Sequence, residues 1–151
     1  AIAVRQLRSE GLLTPGDRIA YIDLDAHQGN GVGHQFRDDA TVFLFDIFNA
    51  DLYPWNDAAA RDRIDCSVPI TSGCGGDEYL GLLHRRLPGF LDSLCQRQSV
   101  TLAIYNAGTD VAVRGEGQFE LGPAFGGGVA RPRIDAGLVD ALARTIRPSE
   151  G

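Results

Sequence analysis

The sequence contains no lysine and no methionine among its 151 residues. All 14 basic residues are therefore arginines, and no side-chain amine is present. This excludes Schiff-base chemistry on an enzyme lysine and the phosphate-binding lysine of a P-loop NTPase. Because the sequence begins with Ala1 and has no methionine, we expect a processed product or a fragment, and we interpret it as a fragment.

Positive charge is also scarce, since 14 arginines face 20 acidic residues and the net charge is -6. This balance argues against a direct nucleic-acid partner and a basic membrane-binding face. No apolar run approaches the roughly 20 residues needed to cross a bilayer, and the first residues do not resemble a signal peptide. The three cysteines, Cys66, Cys74 and Cys95, form neither an even disulfide set nor a C-x-x-C pair. A reduced, cytoplasmic location is therefore expected.

Hydrophobic residues make up 44% of the chain, enough for the core of one domain, which we assign to residues 1–151. The sequence predicts buried strands at residues 18–25, 41–48 and 99–105, with a short one at 66–70. Helical periodicity marks residues 1–13, 77–94 and 134–146, and Pro88 is expected to kink or split the second of these helices. Strands that alternate with helices predict an α/β fold, with a mostly parallel sheet and helices on both faces.

Three apolar strands carry acidic residues at or just past their C-terminal ends. The first strand brings Asp23, Asp25 and then His27, which alternate and would point to one side if the strand geometry persists. The second brings Asp46, and the third leads to Asp110. The carboxyl ends of parallel strands share one edge, and acids crowded there would repel one another without a cation. One imidazole with two carboxylates is typical of a catalytic zinc or ferrous site with an open position. The remaining carboxylates could hold a second, alkali or alkaline-earth ion.

Two motifs resemble the histone deacetylase superfamily, most closely its class IV branch. They are Asp23–Gly31 (DLDAHQGNG) and Asn106–Asp110 (NAGTD). The segments Asp46–Asn49, Tyr53–Pro54 and Asp77–Leu80 occur between them in the family's order. The resemblance covers about residues 18 to 110. It implies an arginase/deacetylase-like fold, of which this chain would be an incomplete, central part.

The resemblance also implies a set of ligands for two ions. Asp25, His27 and Asp110 would bind zinc. The side chains of Asp23 and Asp46, with the backbone carbonyls of His27 and Ile47, would bind potassium.

Further site residues follow from the same resemblance. Asp23 and Asn30 would orient the family's catalytic histidine pair, and Tyr53 would form one wall of a narrow substrate channel. The implied reaction is hydrolysis of an acyl-lysine amide, in a peptide or a similar small acylated amine. Zinc would polarise the acyl carbonyl and a water, a histidine would take the water's proton, and a tyrosine would stabilise the oxyanion.

The sequence departs from the family pattern on both sides of these motifs. No histidine precedes Asp23, no tyrosine follows Tyr105, and Gly126–Gly128 is followed by valine. Arg114–Glu116 stands where the family has a Gly-Asp pair. A degenerate homologue that binds metal without catalysis is therefore an alternative. A metallophosphoesterase is another, because Asp-x-His followed by glycine also opens that family's first motif.

Overall fold

The computed structural model describes residues 1–96 and 99–108. Four strands are present in this part: β1 (Ile19–Asp23), β2 (Val42–Asn49), β3 (Cys66–Ile70) and β4 (Leu102–Asn106). The helices there are α1 (Ile2–Ser9), α2 (Asn30–Gln35), α3 (Ala58–Arg63) and α4 (Gly76–Cys95). The strands form one sheet in the order β3-β2-β1-β4, and every neighbouring pair is parallel. The predicted α/β class and the four predicted strands are thus confirmed.

The two faces of the sheet bury separate apolar clusters because side chains alternate along each strand. On one face, Ile22 and Phe45 pack with the leucines and Phe90 of α4. On the other, Ile19 and Phe48 pack with residues from or beside the three short helices. Helices therefore cover both faces of the sheet, as predicted.

The helix predicted around Pro88 is not split, since α4 runs unbroken from Gly76 to Cys95 with Pro88 inside it. Asp77 and Glu78 lie in its first turn, where acidic side chains suit the helix dipole. Buried side chains recur along one face of α4 on both sides of the proline, and this shared packing keeps the helix continuous. No helix in the described residues is long and apolar enough to span a membrane. The glycine run and the last predicted helix lie outside the described residues.

An ion pair ties α1 to the rest of the fold. The Arg8 guanidinium donates to Asp39 at 2.5 Å and to the Thr41 hydroxyl at 2.8 Å. Burial of Asp39 favours its neutral form, but the hydrogen bonds from Arg8 and Thr41 outweigh that effect and hold its pKa below the ordinary 3.8. The interaction therefore contributes stability above that pH and loses it as the pH falls through the lowered pKa.

Arg8→Ala is expected to lower the free energy of unfolding by about 1 kcal/mol at pH 7. The loss should shrink as the pH falls through the lowered pKa of Asp39, because the protonated carboxyl no longer pairs with Arg8. Urea titrations at several pH values measure it. Arg5→Ala, at an exposed position of the same helix, is the control. Equal losses in the two variants would contradict the assignment.

Candidate metal centre

Two buried aspartates lie side by side on β1 and β2, where Asp23 ends β1 and Asp46 lies three residues before the end of β2. Asp23 and Asp46 are register partners, with exposed fractions of 3% and 2%. Burial, together with the charges of Asp23 and Asp25 and against the lowering effect of a hydrogen bond from Gly29, raises the pKa of Asp46 to about 8. A pair of carboxylates in this position favours either a bound proton or a cation.

In this pair, the Asp46 carboxylate is only partly satisfied by hydrogen bonds from the protein. The Gly29 amide donates to Asp46 Oδ2 at 2.8 Å, and the Asn106 side chain donates to Asp23 Oδ1 at 2.8 Å. Asp46 Oδ1 is buried and has no hydrogen-bond partner. Beside it is a cavity of about 10 Å³, lined among others by Tyr21, Asp23, Gly29 and Asp46. This volume suits a single water-sized occupant.

Tyr21 lines this cavity, and the neighbouring carboxylates act on its hydroxyl. Burial, together with the charges of Asp23, Asp46 and Asp25, raises the pKa of its hydroxyl to about 12. Each of these carboxylates therefore makes a further negative charge here unfavourable. A small cation would relieve that repulsion.

Asp25 and His27 lie beyond the end of β1, in a loop, and not on one side of an extended strand as the alternation suggested. The Asp25 carboxylate accepts a hydrogen bond of 2.8 Å from the backbone amide of His27, and it lies 3.2 Å from His27 Nδ1. The side chains are 29% and 50% exposed, respectively. The loop thus brings the predicted carboxylate and imidazole ligands together by a turn, in a place that solvent can reach.

The segment after β4 passes against this loop. The Leu24 amide donates to the Asn106 carbonyl at 3.0 Å. Gly108 has a φ of 56°, and a Cβ added to it would lie 2.5 Å from Asp25 Cα. Only glycine fits so close an approach with a left-handed backbone. The chain is therefore directed past Asp25 two residues before Asp110.

Asp110 itself lies outside the described residues. Within residues 1–96 and 99–108, no group of three histidine, cysteine or acidic side chains is arranged to hold a metal. The described part therefore brings together two of the three predicted zinc ligands. The Ile47 side chain is fully buried in the core, and the predicted potassium ligand is its backbone carbonyl.

Asn30, predicted to orient a catalytic histidine, is engaged with Asp57. Its side-chain amide donates to Asp57 Oδ2 at 3.2 Å, and His34 Nε2 lies 2.8 Å from the same oxygen. Asp57 also caps α3 by accepting the Ala60 amide at 3.1 Å. Sequence reasoning missed Asp57, although an acid before an alanine-rich helix is a recognisable N-cap signal.

Tyr53, predicted as a channel wall, lies in the loop after β2 and is 61% exposed. Its peptide bond to Pro54 is cis. Its ring contacts Trp55 edge to face. Trp55, in the same loop, is 65% exposed.

Gly29→Ala is expected to destabilise the chain by about 1–3 kcal/mol, because the new methyl group would overpack a buried site. The added Cβ would lie 2.8 Å from Asp23 Oδ2 and 3.4 Å from Asp46 Oδ2. Thermal unfolding measures the change. Gly31→Ala is a control in α2 with nothing within 4 Å of the new atom. That variant should be more stable by up to about 1 kcal/mol, because alanine favours a helix. If Gly29→Ala matched it, the close packing would be wrong.

Comparison with known proteins adds independent findings. A family model described as "Histone deacetylase domain" matches residues 1–121. The chain is 44% identical over 94 residues to "Histone deacetylase 2" of Arabidopsis thaliana, covering 62% of this chain and 23% of that protein. It is 34% identical over 113 residues to an uncharacterized protein of Picosynechococcus sp., covering 75% of this chain and 34% of that protein. The chain therefore spans between about a quarter and a third of the length of these relatives.

Proposed function

This chain belongs to the histone deacetylase family, and from that premise we propose that it carries the metal-binding part of a zinc-dependent hydrolase of acyl-lysine amides. The observation that supports the proposal most is the packing of Gly108 against Asp25, beside His27. It directs the chain toward the loop that holds Asp25 and His27, which we call the metal loop, two residues before the third predicted ligand. The parallel sheet with helices on both faces is consistent with the deacetylase fold.

We propose zinc as the ion of the exposed loop. Asp25, His27 and Asp110 would be its protein ligands, a set that leaves a coordination position open for water or substrate. Zinc bound there would polarise an acyl carbonyl and lower the pKa of a bound water. The described pair fits this role because an imidazole and a carboxylate already lie in contact and half-open to solvent.

We propose potassium as the ion of the buried pair. The unpartnered Asp46 Oδ1, the neighbouring cavity and the surrounding negative charge all suit a monovalent cation about the size of a water molecule. Asp23 and Asp46 would bind it with their carboxylates, and His27 and Ile47 with their backbone carbonyls. A cation in this site would remove the repulsion between the carboxylates of Asp23 and Asp46.

The other family residues would position groups for the reaction. Asp23 and Asn30 would orient the histidine pair that transfers protons, and Tyr53 would border the acyl-lysine channel. The histidine pair and the oxyanion tyrosine would come from sequence outside this chain, with residues 1–151 forming a central part of one domain. The sequence of Asp23–Gly31 (DLDAHQGNG) supports the class IV branch. The substrate would be an acylated lysine peptide or a similar small amine, in the cytoplasm.

The test is acetate release from an acetyl-lysine peptide by the longest natural form of the protein, loaded with zinc. Asp25→Asn should lower the rate by at least about a hundredfold, because a metal ligand is lost. Asp38→Asn, which changes an exposed acid outside the candidate metal centre, should leave the rate unchanged. Bound zinc without acetate release would favour the degenerate homologue. Phosphate release from an aryl phosphate ester would favour the metallophosphoesterase instead.

A further inference from the structure

Two aromatic rings stand in solvent on the loop after β2. Tyr53 is 61% exposed and Trp55 is 65% exposed. Their ring centroids are 6.3 Å apart and the rings are nearly perpendicular, at 87°. Large aromatic side chains exposed side by side are unfavourable in water and mark a surface that contacts something else. We call this pair the aromatic corner.

The loop holds the aromatic corner in a fixed place. The Trp55 indole donates to the Asp51 carbonyl at 2.8 Å. The Asp51 carboxylate accepts the Ser72 amide at 2.7 Å, and the Asp51 amide donates to the Asn49 side chain at 2.9 Å. Asn49 is itself 1% exposed. A surface anchored in this way is preorganised, which reduces the entropy lost when a ligand binds.

The same loop is joined to the candidate metal centre. The Asn49 amide donates to the Ala26 carbonyl at 2.9 Å, and Ala26 is the residue between Asp25 and His27. A ligand with its acyl group at the loop of Asp25 and His27 would therefore lie next to the loop that carries the aromatic corner.

Charge indicates which neighbouring group would bind there. Asp51 is exposed, Asp25 and Asp57 are partly exposed, and the whole chain carries a net charge of -6. Aromatic faces attract cations, and nearby carboxylates strengthen that attraction while repelling anions. The aromatic corner is therefore better suited to a cation than to an acidic or purely apolar group.

We propose that Tyr53 and Trp55 bind an organic cation that the substrate carries beside its acylated amine. The proposal rests on the proposed function, because the metal loop fixes where the acyl group lies. The cation would be an arginine side chain of a peptide or an ammonium group of an acylated polyamine. Trp55 is in this sense a specificity-determining residue.

Trp55 supplies its own assay, because it is the only tryptophan in the chain. Four peptides would be titrated against its fluorescence, with acetyl-lysine or alanine at one position and arginine or glutamine at the next. Arginine should tighten binding about two- to fivefold over glutamine, the range of an exposed cation–π contact. Equal affinity for the arginine and glutamine peptides would overturn the proposal. Equal affinity for the acetyl-lysine and alanine peptides would instead contradict the proposed function.

Variants separate the ring from the rest of the surface. With a dye-labelled acetyl-lysine–arginine peptide, anisotropy should show that Trp55→Ala loses the arginine preference and Trp55→Phe keeps most of it. Leu12→Ala, which removes an apolar side chain that is 67% exposed, is the control and should keep the preference. Retention of the preference by Trp55→Ala would refute the assignment. Competition by N1-acetylspermidine would identify a polyamine as a source of the cation. No competition would indicate that the cation is the arginine side chain of a peptide.

Discussion

Replacing His27 by alanine is expected to lower the zinc affinity of the chain by about a hundredfold or more. A protein site binds zinc with about 10–16 kcal/mol at pH 7 when four ligands share the ion. Loss of one ligand of three should therefore cost at least about 3 kcal/mol. His27 is half-exposed, so its removal creates no core cavity and the fold should persist. Competition with a chromogenic chelator, together with mass spectrometry of the metal content, would measure the affinity.

The controls are matched by residue type. His84→Ala changes an exposed histidine on α4 and should leave zinc affinity unchanged. Asp110→Ala should lower zinc affinity at least as much as His27→Ala, while Asp92→Ala, which changes an exposed acid on α4, should leave it unchanged. Full zinc affinity in both His27→Ala and Asp110→Ala would show that the family motif remains here without its metal site.

Gly108→Ala should have the largest effect on stability of the glycine substitutions considered, about 2–4 kcal/mol. One part of the loss is the left-handed backbone, which costs a non-glycine residue about 1–2 kcal/mol. The other is the collision of the new Cβ with the Asp25 backbone, whose Cα would lie only 2.5 Å away. A backbone atom cannot turn aside as a flexible side chain can. The variant should therefore also bind zinc more weakly, because the metal loop must shift.

Gly11→Ala isolates the collision from the backbone cost. Gly11 has a φ of 71°, close to the 56° of Gly108, but nothing lies within 4 Å of its added Cβ. This variant should lose only about 1–2 kcal/mol and should retain its zinc affinity. Urea unfolding and zinc titration of both variants would give the two differences. Equal stability losses, with equal zinc affinity, would show that Gly108 does not support the metal loop.

Local patterns in the sequence were sufficient to predict the sheet. The segments that contain Ile22, Phe45 and Ile104 are apolar and bounded by turn residues, which is the pattern of strands in a parallel sheet. The same pattern placed Asp23 and Asp46 toward the carboxyl ends of neighbouring parallel strands. The register of β1 against β2 then makes the two residues direct neighbours.

The rest depends on contacts between distant segments, which periodicity does not encode. The turn that joins Asp25 to His27 replaces the strand alternation that was expected. The approach of Gly108 to Asp25 exists only when β4 pairs with β1. Trp55 is exposed while its indole N–H donates to the Asp51 carbonyl, whereas a tryptophan in a loop is ordinarily expected to pack. A family motif names such residues without explaining how they meet.

The strand order β3-β2-β1-β4 has a consequence for how the protein is made. β1 pairs with β2 through Ile19 and Val42, but with β4 through Ile19 and Leu102, so the second pairing closes a much longer loop. During synthesis the Asp23–Asp46 pair can form while β4 is still inside the ribosome. The Asp25–Gly108 contact cannot form until β4 has emerged. The proposed alkali-ion site could therefore form at an early stage of folding, and the proposed zinc site only at its completion.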